Sequence, residues 1–289
     1  MSATLINGKA IAAGIKIRVK QAALQLAHRP GLATILVGTN PASALYVKNK
    51  LQACIETGID GKLIHLPEDT TQEKLGDTIT ALNADPAIHG ILLQLPLPPQ
   101  LDAQKLIGLI LPHKDVDGLG PLNYGLMVAG LPAHAPCTPL GCLTLIKSIE
   151  KNLTGKRALV LGRSRLVGRP MAELLLQHNC TVTLAHSHTQ NLPDLTREAD
   201  ILVAAMGKPH LIKAGWIKPG ATVIDVGINR LPNGSLTGDV DFEDVREIAG
   251  AITPVPGGVG PMTVAMLMAN TLRSAYQHAQ RPLPVELAA

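Results

Sequence analysis

The sequence predicts a two-domain α/β protein whose strands form parallel sheets. Apolar, β-rich segments alternate with segments of helical spacing along most of the 289 residues, which is the order of βαβ units. A long helical segment near the C-terminal end falls outside this alternation, so we expect it to pack back on the first domain. The predicted fold is an N-terminal α/β domain completed by the C-terminal helix, followed by a parallel-sheet domain, with a cleft between them.

The first half of the chain alternates strands with helices. Short apolar runs predict strands at residues 33–37, 62–66 and 90–95. Helical spacing, with Gly or Pro close after each segment, predicts helices at residues 43–57, 71–83 and 102–110. A region rich in proline and glycine follows, from Leu111 to Pro139, and we expect it to be irregular.

The second half repeats the strand and helix alternation. Its predicted strands are residues 158–161, 181–185, 201–205, 222–226 and 251–253. Its predicted helices are residues 142–151, 171–178 and the final helix from 263 to roughly 280. These elements place the first domain at residues 1–140 with the C-terminal helix 263–289, and the second domain at residues 141–262.

Composition narrows the class of protein. The chain is 46% hydrophobic and 17% charged, which is typical of a globular protein. The net charge is only +4 and 2% of residues are aromatic, so we expect no nucleic-acid partner. No apolar run reaches the roughly 18 residues of a membrane span, and the N-terminus has no signal-peptide core. We therefore expect a soluble, cytoplasmic protein.

The cysteines predict neither a metal centre nor a redox pair. Cys54, Cys137, Cys142 and Cys180 form no C-x-x-C pair. We expect buried free thiols in a reducing compartment. No other metal-ligand cluster stands out, so no metal site is predicted.

A glycine-containing loop joins a predicted strand to a predicted helix at residues 162–170, with the sequence GRSRLVGRP. Glycines let a backbone approach phosphates closely, and a helix N-terminus offers free N–H groups to them. The loop therefore predicts a Rossmann-type dinucleotide-binding domain. It departs from the common G-x-G-x-x-G pattern because Ser164 replaces the central glycine.

The residues after the next strand favour NADP over NAD. That strand ends in His186-Ser187-His188-Thr189, where NAD-binding domains carry a carboxylate for the ribose 2′-hydroxyl. A carboxylate would repel a 2′-phosphate, whereas hydroxyl and basic groups accept it. Arg163 and Ser187, together with His186 or His188, therefore predict NADP as the cofactor.

Polar groups in the first half suggest where chemistry takes place. Tyr46 and Lys50 are four residues apart and share one face of a predicted helix. Gln94 ends an apolar strand, at the end where parallel sheets bind ligands. Asp115 and Asp117 form a carboxylate pair in a predicted loop. The pair either belongs to a site or lies in an ordinary turn. The glycines of residues 257–260 line the cleft or form a tight turn.

Six motifs together resemble the bifunctional methylenetetrahydrofolate dehydrogenase/methenyltetrahydrofolate cyclohydrolase family over essentially the whole chain. They occur in the family's order at residues 37–50 (VGTNPASALYVKNK), 90–97 (GILLQLPL), 114–118 (KDVDG), 136–139 (PCTP), 162–170 and 256–263 (PGGVGPMT). The resemblance implies that NADP⁺ oxidises 5,10-methylenetetrahydrofolate to 5,10-methenyltetrahydrofolate, and that water then converts this cation to 10-formyltetrahydrofolate. It also implies a homodimer that serves one-carbon metabolism and purine biosynthesis.

The resemblance also assigns residues. Lys50 is implied as the catalytic lysine of the cyclohydrolase step, with Gln94 bonded to it and Asp117 holding the pterin. Tyr46 is implied to stack on the folate. The remaining substrate contacts are implied at Pro256, Gly257 and Gly258. The implied cofactor contacts are Gly162, Arg163, Ser164, Val167, Gly168, Ser187 and Ile228.

Two positions depart from the family pattern, and two other functions remain open. Leu126 and Leu140 stand where members often carry basic residues. One alternative is a catalytically silent NADP-binding scaffold, but such a protein has no physical need for Lys50, Gln94 and Asp117 together. The other is an NADP oxidoreductase for a different small substrate, and fold alone does not decide between these.

Overall fold

The computed structural model describes residues 2–284. The helices, in chain order, are α1 (Gly8–Ala23), α2 (Pro41–Thr57), α3 (Gln72–Ala84), α4 (Ala103–Ile107), α5 (Pro121–Val128), α6 (Cys137–Ile149), α7 (Gly168–Gln177), α8 (Leu192–Arg197), α9 (Phe242–Val245) and α10 (Val259–His278). The strands are β1 (Thr4–Leu5), β2 (Gly31–Val37), β3 (Asp60–Leu66), β4 (Gly90–Leu93), β5 (Arg157–Leu161), β6 (Thr181–Ala185), β7 (Ile201–Ala204), β8 (Thr222–Asp225), β9 (Asn229–Arg230), β10 (Leu236–Thr237) and β11 (Ala251–Ile252).

One unit is built on a three-stranded parallel sheet and is called the three-stranded unit below. It comprises residues 13–137 and the described chain from 264 onward. Its strand order is β3-β2-β4, and every residue of β2 is buried. Apolar residues of α3, including Leu75, Ile79 and Leu82, pack with the strands into one core. Burial on both faces explains why β2 has only one polar residue, Thr34.

The other unit, called the six-stranded unit, comprises residues 2–12 and 138–263 of the described chain. Its sheet has the order β1-β11-β8-β7-β5-β6, and all of its strand pairs are parallel. β5, β7 and β8 lie inside the sheet and are almost wholly buried. β9 and β10 form a separate antiparallel pair.

The predicted two-domain α/β class with a parallel-sheet second domain is confirmed, but the division of the chain differs at its N-terminus. Residues 2–12, predicted in the first domain, belong to the six-stranded unit because Thr4 and Leu5 pair with β11. A strand of two residues is too short to show a period in the sequence. The final helix begins at Val259 and ends at His278, and the predicted residues 285–289 lie outside the described chain.

Several element bounds differ from the prediction as well. The region 111–139, expected to be irregular, contains α5, which begins after Gly120 with Pro121 at its first turn. Pro is favoured there because its missing N–H is one that a first helical turn leaves unpaired. The helix predicted at residues 102–110 is only α4, since Gly108 ends it early.

We predict that Ile79→Ala lowers the free energy of unfolding by about 2–5 kcal/mol, because the side chain is fully buried and its removal leaves a cavity. The matched control is Thr80→Ala, at the next, exposed position of α3, which changes stability by less than about 0.5 kcal/mol. Urea unfolding of both variants measures the difference. Equal destabilisation by the two substitutions would contradict this core assignment.

Candidate active site

Lys50 and Gln94 meet in the three-stranded unit. Lys50 lies in α2, whose N-terminus is fixed by Asn40, which accepts from the N–H of Ser43 at 3.1 Å. Gln94 directly follows β4, and its backbone N–H donates to the carbonyl of Ile35 at 2.9 Å. Lys50 Nζ donates to Gln94 Oε1 at 2.9 Å. The helix and the strand end thus bring together two residues that are 44 positions apart.

The amide of Gln94 has a defined orientation. Its side chain is only 8% exposed, and its Nε2 donates to the carbonyl of Leu95 at 2.6 Å. With the NH₂ group engaged there, the amide oxygen faces the Lys50 ammonium. A buried amide with both ends bonded holds its partner at a fixed position, and a side chain that transfers protons needs a fixed position of this kind.

Asp117 and Lys50 both act on the pKa of one buried thiol, that of Cys137. Burial raises the pKa of the Cys137 thiol well above its ordinary value, and the neighbouring Asp117 carboxylate raises it further. The Lys50 ammonium acts in the opposite direction on the same pKa. Cys137 therefore lies within the field of both charged groups, while Gln94 is bonded directly to Lys50.

Asp115, the other carboxylate of the predicted pair, is occupied by the fold. It is 2% exposed and accepts from the N–H groups of Leu119 and Gly120 and from Asn123 Nδ2, at 3.2, 2.8 and 2.9 Å. Burial raises its pKa, while the bond from Asn123 acts to lower it. Asp115 therefore anchors the start of α5, whereas Asp117 is half-buried and interacts with Cys137.

Lys114 holds the loop that carries Asp117 through three backbone carbonyls. Lys114 is buried and donates to the carbonyls of Leu82, Asn83 and Asp85, at 3.1, 2.8 and 2.7 Å. These carbonyls end α3, where a cation is favoured. Sequence patterns gave no sign that this lysine is structural, because its partners are backbone atoms about 30 residues earlier.

Asn270 of α10 is a contact that sequence reasoning missed. Its Nδ2 donates to the carbonyls of Val116 and Ala135 at 2.9 and 3.1 Å. Gly118 lies between the same two segments, and a Cβ there would come within 2.6 Å of the carbonyl oxygen of His134. A buried asparagine on an apolar helix was the available signal.

Tyr46 lies one helical turn before Lys50 on α2 and is 44% exposed. An exposed aromatic ring beside a fixed lysine can stack on a planar ligand. Its exposure fits a ligand-contact role better than a core role.

In the six-stranded unit, the glycine loop follows β5 and two of its glycines are sterically required. Gly162 has φ +114°, and a Cβ there would lie 2.2 Å from the carbonyl oxygen of Ala205. A Cβ on Gly168 would lie 1.8 Å from the carbonyl oxygen of Gly162. The loop therefore closes tightly against both the end of β7 and the start of α7.

Ser164 takes part of the role of a helix cap. Its Oγ accepts from the N–H groups of Val167 and Gly168 at 3.1 and 3.4 Å. Within the described chain, the backbone N–H groups of residues 163–166 make no hydrogen bond. Free N–H groups in an exposed, arginine-bearing loop fit a phosphate ligand, so the residues present suit a dinucleotide.

The predicted 2′-phosphate residues lie near one another. Arg163 and Ser187 are exposed, and no carboxylate follows β6. Desolvation lowers the pKa of His186, and the positive charges of Arg163 and His188 lower it further. The His186 and His188 rings have centroids 5.9 Å apart. This end of the sheet is positively charged.

The remaining predicted contacts also belong to the six-stranded unit. Ile228 follows β8 and is 49% exposed. Gly258 donates its N–H to the carbonyl of Pro254 at 2.9 Å, and a Cβ on Gly8 would lie 1.9 Å from the Gly258 oxygen. The turn that contains Pro256, Gly257 and Gly258 is thus tightly packed against the start of α1.

None of the four cysteines of the sequence is in a disulfide. Cys54, Cys137, Cys142 and Cys180 are free and buried, and burial of these thiols agrees with the prediction. Among residues 2–284, no group of three His, Cys, Asp or Glu side chains is placed to hold a metal ion. In the same residues, no helix is long and apolar enough to cross a membrane.

Two family models match the chain. Residues 6–117 match the catalytic domain of tetrahydrofolate dehydrogenase/cyclohydrolase. Residues 136–279 match the NAD(P)-binding domain of the same family. Lys50 lies in the first match and the glycine loop in the second, and the two also lie in different units of the structure.

Close relatives span nearly the full length. The chain is 55% identical to the bifunctional protein FolD of Rhodospirillum centenum, over 94% of each chain. A crystal structure of the bifunctional FolD enzyme, methylenetetrahydrofolate dehydrogenase/cyclohydrolase, from Campylobacter jejuni is 47% identical with a TM-score of 0.94, covering 96% of this chain and 99% of that one. The Trypanosoma brucei enzyme, solved with NADP cofactor and inhibitor, is 38% identical with a TM-score of 0.92, covering 98% and 100%.

We predict that Asp115→Ala and Asp117→Ala differ in their effect on stability. The first leaves three donors buried without their acceptor, so we expect a loss of about 1–3 kcal/mol or more. The second removes a half-buried carboxylate and changes stability by less than about 1 kcal/mol. Thermal and urea unfolding of both variants measure this. Equal losses would show that Asp117 is as much a part of the fold as Asp115.

Proposed function

Because the chain belongs to the tetrahydrofolate dehydrogenase/cyclohydrolase family, we propose that it catalyses both of the family's reactions. It oxidises 5,10-methylenetetrahydrofolate with NADP⁺ and then hydrolyses the 5,10-methenyltetrahydrofolate cation to 10-formyltetrahydrofolate. The observation that carries the second activity is the 2.9 Å bond between Lys50 Nζ and Gln94 Oε1, and it is supported by the effect of both Lys50 and Asp117 on the pKa of Cys137.

In the oxidation, the protein's task is to bind and orient two planar ligands, since a well-aligned transfer needs little further catalysis. Bound NADP⁺ supplies the acceptor for the hydride that leaves the methylene carbon. Tyr46 stacks on the folate and Asp117 holds the pterin. The carboxylate of Asp117 also favours the positive charge that develops on the substrate.

In the hydrolysis, water adds to the methenyl carbon and releases one of its protons; the bond from that carbon to N5 then breaks as the formyl carbonyl forms, and N5 takes the second proton. Lys50 is the group that moves protons between water and substrate. Gln94 fixes the ammonium through its amide oxygen and so sets the direction of the lysine's protons. The substrate is already a cation, so it needs no additional electrophile. Proton transfer and positioning of water are sufficient.

The cofactor is held by the loop after β5 and by the end of β6. Gly162, Ser164, Val167 and Gly168 shape the phosphate-binding turn at the start of α7. Arg163 and Ser187 bind the 2′-phosphate. The residues directly after β6 include no carboxylate that would repel this phosphate, which supports the assignment. The exposed Ile228 contacts the cofactor. Pro256, Gly257 and Gly258 border the folate and nicotinamide.

We also propose that the protein is a cytoplasmic homodimer that supplies one-carbon units to purine biosynthesis, with no nucleic-acid or membrane partner. The exposed edge strand β6 supports the dimer, with Thr181, Thr183 and Leu184 open to solvent. Unpaired edges of this kind are usually covered. The small net charge of +4 and the low aromatic content are consistent with the absence of a nucleic-acid partner.

The most direct test is an absorbance assay of purified protein with methylenetetrahydrofolate, run in parallel with NADP⁺ and NAD⁺. We expect turnover with NADP⁺, weaker turnover with NAD⁺, and decay of the methenyl absorbance as hydrolysis follows. Absence of turnover with either cofactor would contradict the proposal.

We predict that Lys50→Met abolishes hydrolysis of methenyltetrahydrofolate, by at least about 100-fold, because the proton-handling group is lost. Binding of NADP⁺ remains substantial. Lys48→Met is the matched control, since Lys48 is an exposed lysine of the same helix, and it retains activity. Turnover of Lys50→Met equal to that of the wild type would refute the assignment.

We predict that Arg163→Ala weakens NADP⁺ binding by about 10- to 100-fold and NAD⁺ binding much less, since a charge-assisted contact to the 2′-phosphate is removed. Calorimetric titration with each cofactor measures this. Arg165→Ala, in the same exposed loop, is the control and has a smaller effect on the preference. Equal losses for the two cofactors would remove the 2′-phosphate role from Arg163.

A further inference from the structure

Two buried aspartates of the six-stranded unit have no role in the reactions proposed above. Asp225 ends β8 and is 3% exposed, and Asp239 lies after β10 and is fully buried. Neither forms an ion pair with a basic residue among residues 2–284. Burying a carboxylate is costly unless its oxygens are bonded, so both side chains need an explanation.

Asp239 binds the loop that follows β7. Its Oδ2 accepts from the N–H groups of Met206 and Gly207 at 2.6 and 2.9 Å. Its Oδ1 accepts from the N–H of Lys208 at 2.8 Å and from Asn229 Nδ2 at 2.9 Å. One carboxylate therefore fixes three consecutive backbone N–H groups and also reaches the segment after β8.

Asp225 binds the segment after its own strand and the segment that carries Asp239. It accepts from the N–H groups of Gly227, Asp239 and Val240, each at 2.9 Å. Its backbone N–H in turn donates to Thr253 Oγ1 at 2.8 Å. The two carboxylates thus form one connected network.

Two glycines permit this network to close. A Cβ on Gly227 would lie 2.4 Å from Asp239 Oδ1, and one on Gly238 would lie 1.8 Å from Asp225 Oδ2. Side chains at these positions would displace the carboxylates from their donors. Glycine is needed at both positions because a carboxylate lies where a Cβ would be, and neither glycine has a positive φ.

The network reaches the proposed cofactor residues at two points. Met206 follows Ala205, whose carbonyl oxygen lies against Gly162 so closely that a Cβ on Gly162 would approach it to 2.2 Å. Ile228 lies between Gly227, which donates to Asp225, and Asn229, which donates to Asp239. The loops after β7 and β8 both emerge at the carboxyl end of the parallel sheet, where such sheets bind nucleotides.

We propose that Asp239 and Asp225 are positioning residues for the dinucleotide, which fix the loops after β7 and β8 against the glycine loop and beside Ile228. This rests on the cofactor part of the proposed function. The donors are backbone N–H groups and one amide, which give direction without adding a competing cation. Burial raises the pKa of Asp225 to about 6, and the bonds from Asp239 and Val240 act to lower it.

Asp239→Asn tests the proposal because either orientation of the amide turns its NH₂ toward two of the four donors. We expect the dissociation constant for NADP⁺ to rise at least about 10-fold. Hydrolysis of methenyltetrahydrofolate uses Lys50, Gln94 and Asp117 of the other unit, so its rate should stay within about twofold of the wild type.

Asn229→Ala is the milder variant, since it removes one donor and leaves both carboxylates in place. We expect about a threefold rise in the NADP⁺ dissociation constant and an unchanged melting temperature. Asp241→Asn is the matched control: it alters an aspartate two residues from Asp239 that pairs with Lys213 in a partly exposed bridge, and it should bind NADP⁺ normally.

Calorimetric titration with NADP⁺, thermal melting and the cyclohydrolase assay are run on the full-length protein. Weaker NADP⁺ binding by Asp239→Asn and Asn229→Ala with retained hydrolysis supports the proposal. Unchanged NADP⁺ binding by both variants overturns it, and so does a parallel loss of melting temperature and both activities in Asp239→Asn with normal binding in Asn229→Ala. Wild-type protein that binds no NADP⁺ would overturn the proposed function as well.

Discussion

Parallel strand pairing is the constraint on which the proposed sites depend. Strands that run in one direction end at one edge of their sheet, so the residues that follow them share that edge. In the three-stranded unit this places Gln94, just after β4, where Lys50 of α2 reaches it. In the six-stranded unit it gathers the turns after β5, β7 and β8. Residues far apart in sequence thereby become neighbours.

Several buried charged side chains of the described residues are bonded mainly to backbone groups, which fixes them within the fold. In the KDVDG segment, Lys114 donates to backbone carbonyls and Asp115 accepts from backbone N–H groups. Asp117 is half-buried and interacts with Cys137. In the other unit, Asp225 and Asp239 likewise accept from backbone N–H groups. Asp115 and Asp117, which are two residues apart, therefore differ in their surroundings, and their spacing in the sequence does not show which of them is bonded within the fold.

Much of the fold and of the candidate site could be predicted from the sequence. Buried parallel strands are mainly apolar, and the loop at residues 162–170 lies between a strand and a helix, as its pattern indicated. The i, i+4 spacing of Tyr46 and Lys50 was enough to place them on one face. The pairing of Lys50 with Gln94 needed the family resemblance in addition, because no local pattern links residues 44 positions apart.

Other features could not be predicted, for physical reasons. β1 has two residues and pairs with β11, which lies about 250 residues later. No local pattern shows such a pairing, so the sequence predicts residues 2–12 in the first domain, whereas they lie in the six-stranded unit. The role of Asn270 depends on two carbonyls more than 130 residues away. The glycines at 227 and 238 appear as ordinary turn residues until the carboxylates that approach them are known.

We propose that one chain transfers hydride to NADP⁺ and then adds water to the same carbon. Mass spectrometry of both products tests it, with the methylene carbon dideuterated and the reaction run in ¹⁸O-labelled water. We expect one deuterium in NADPH, and one deuterium with one ¹⁸O in the formyl group of 10-formyltetrahydrofolate. Deuterium released to water, or a formyl group without ¹⁸O, would contradict it.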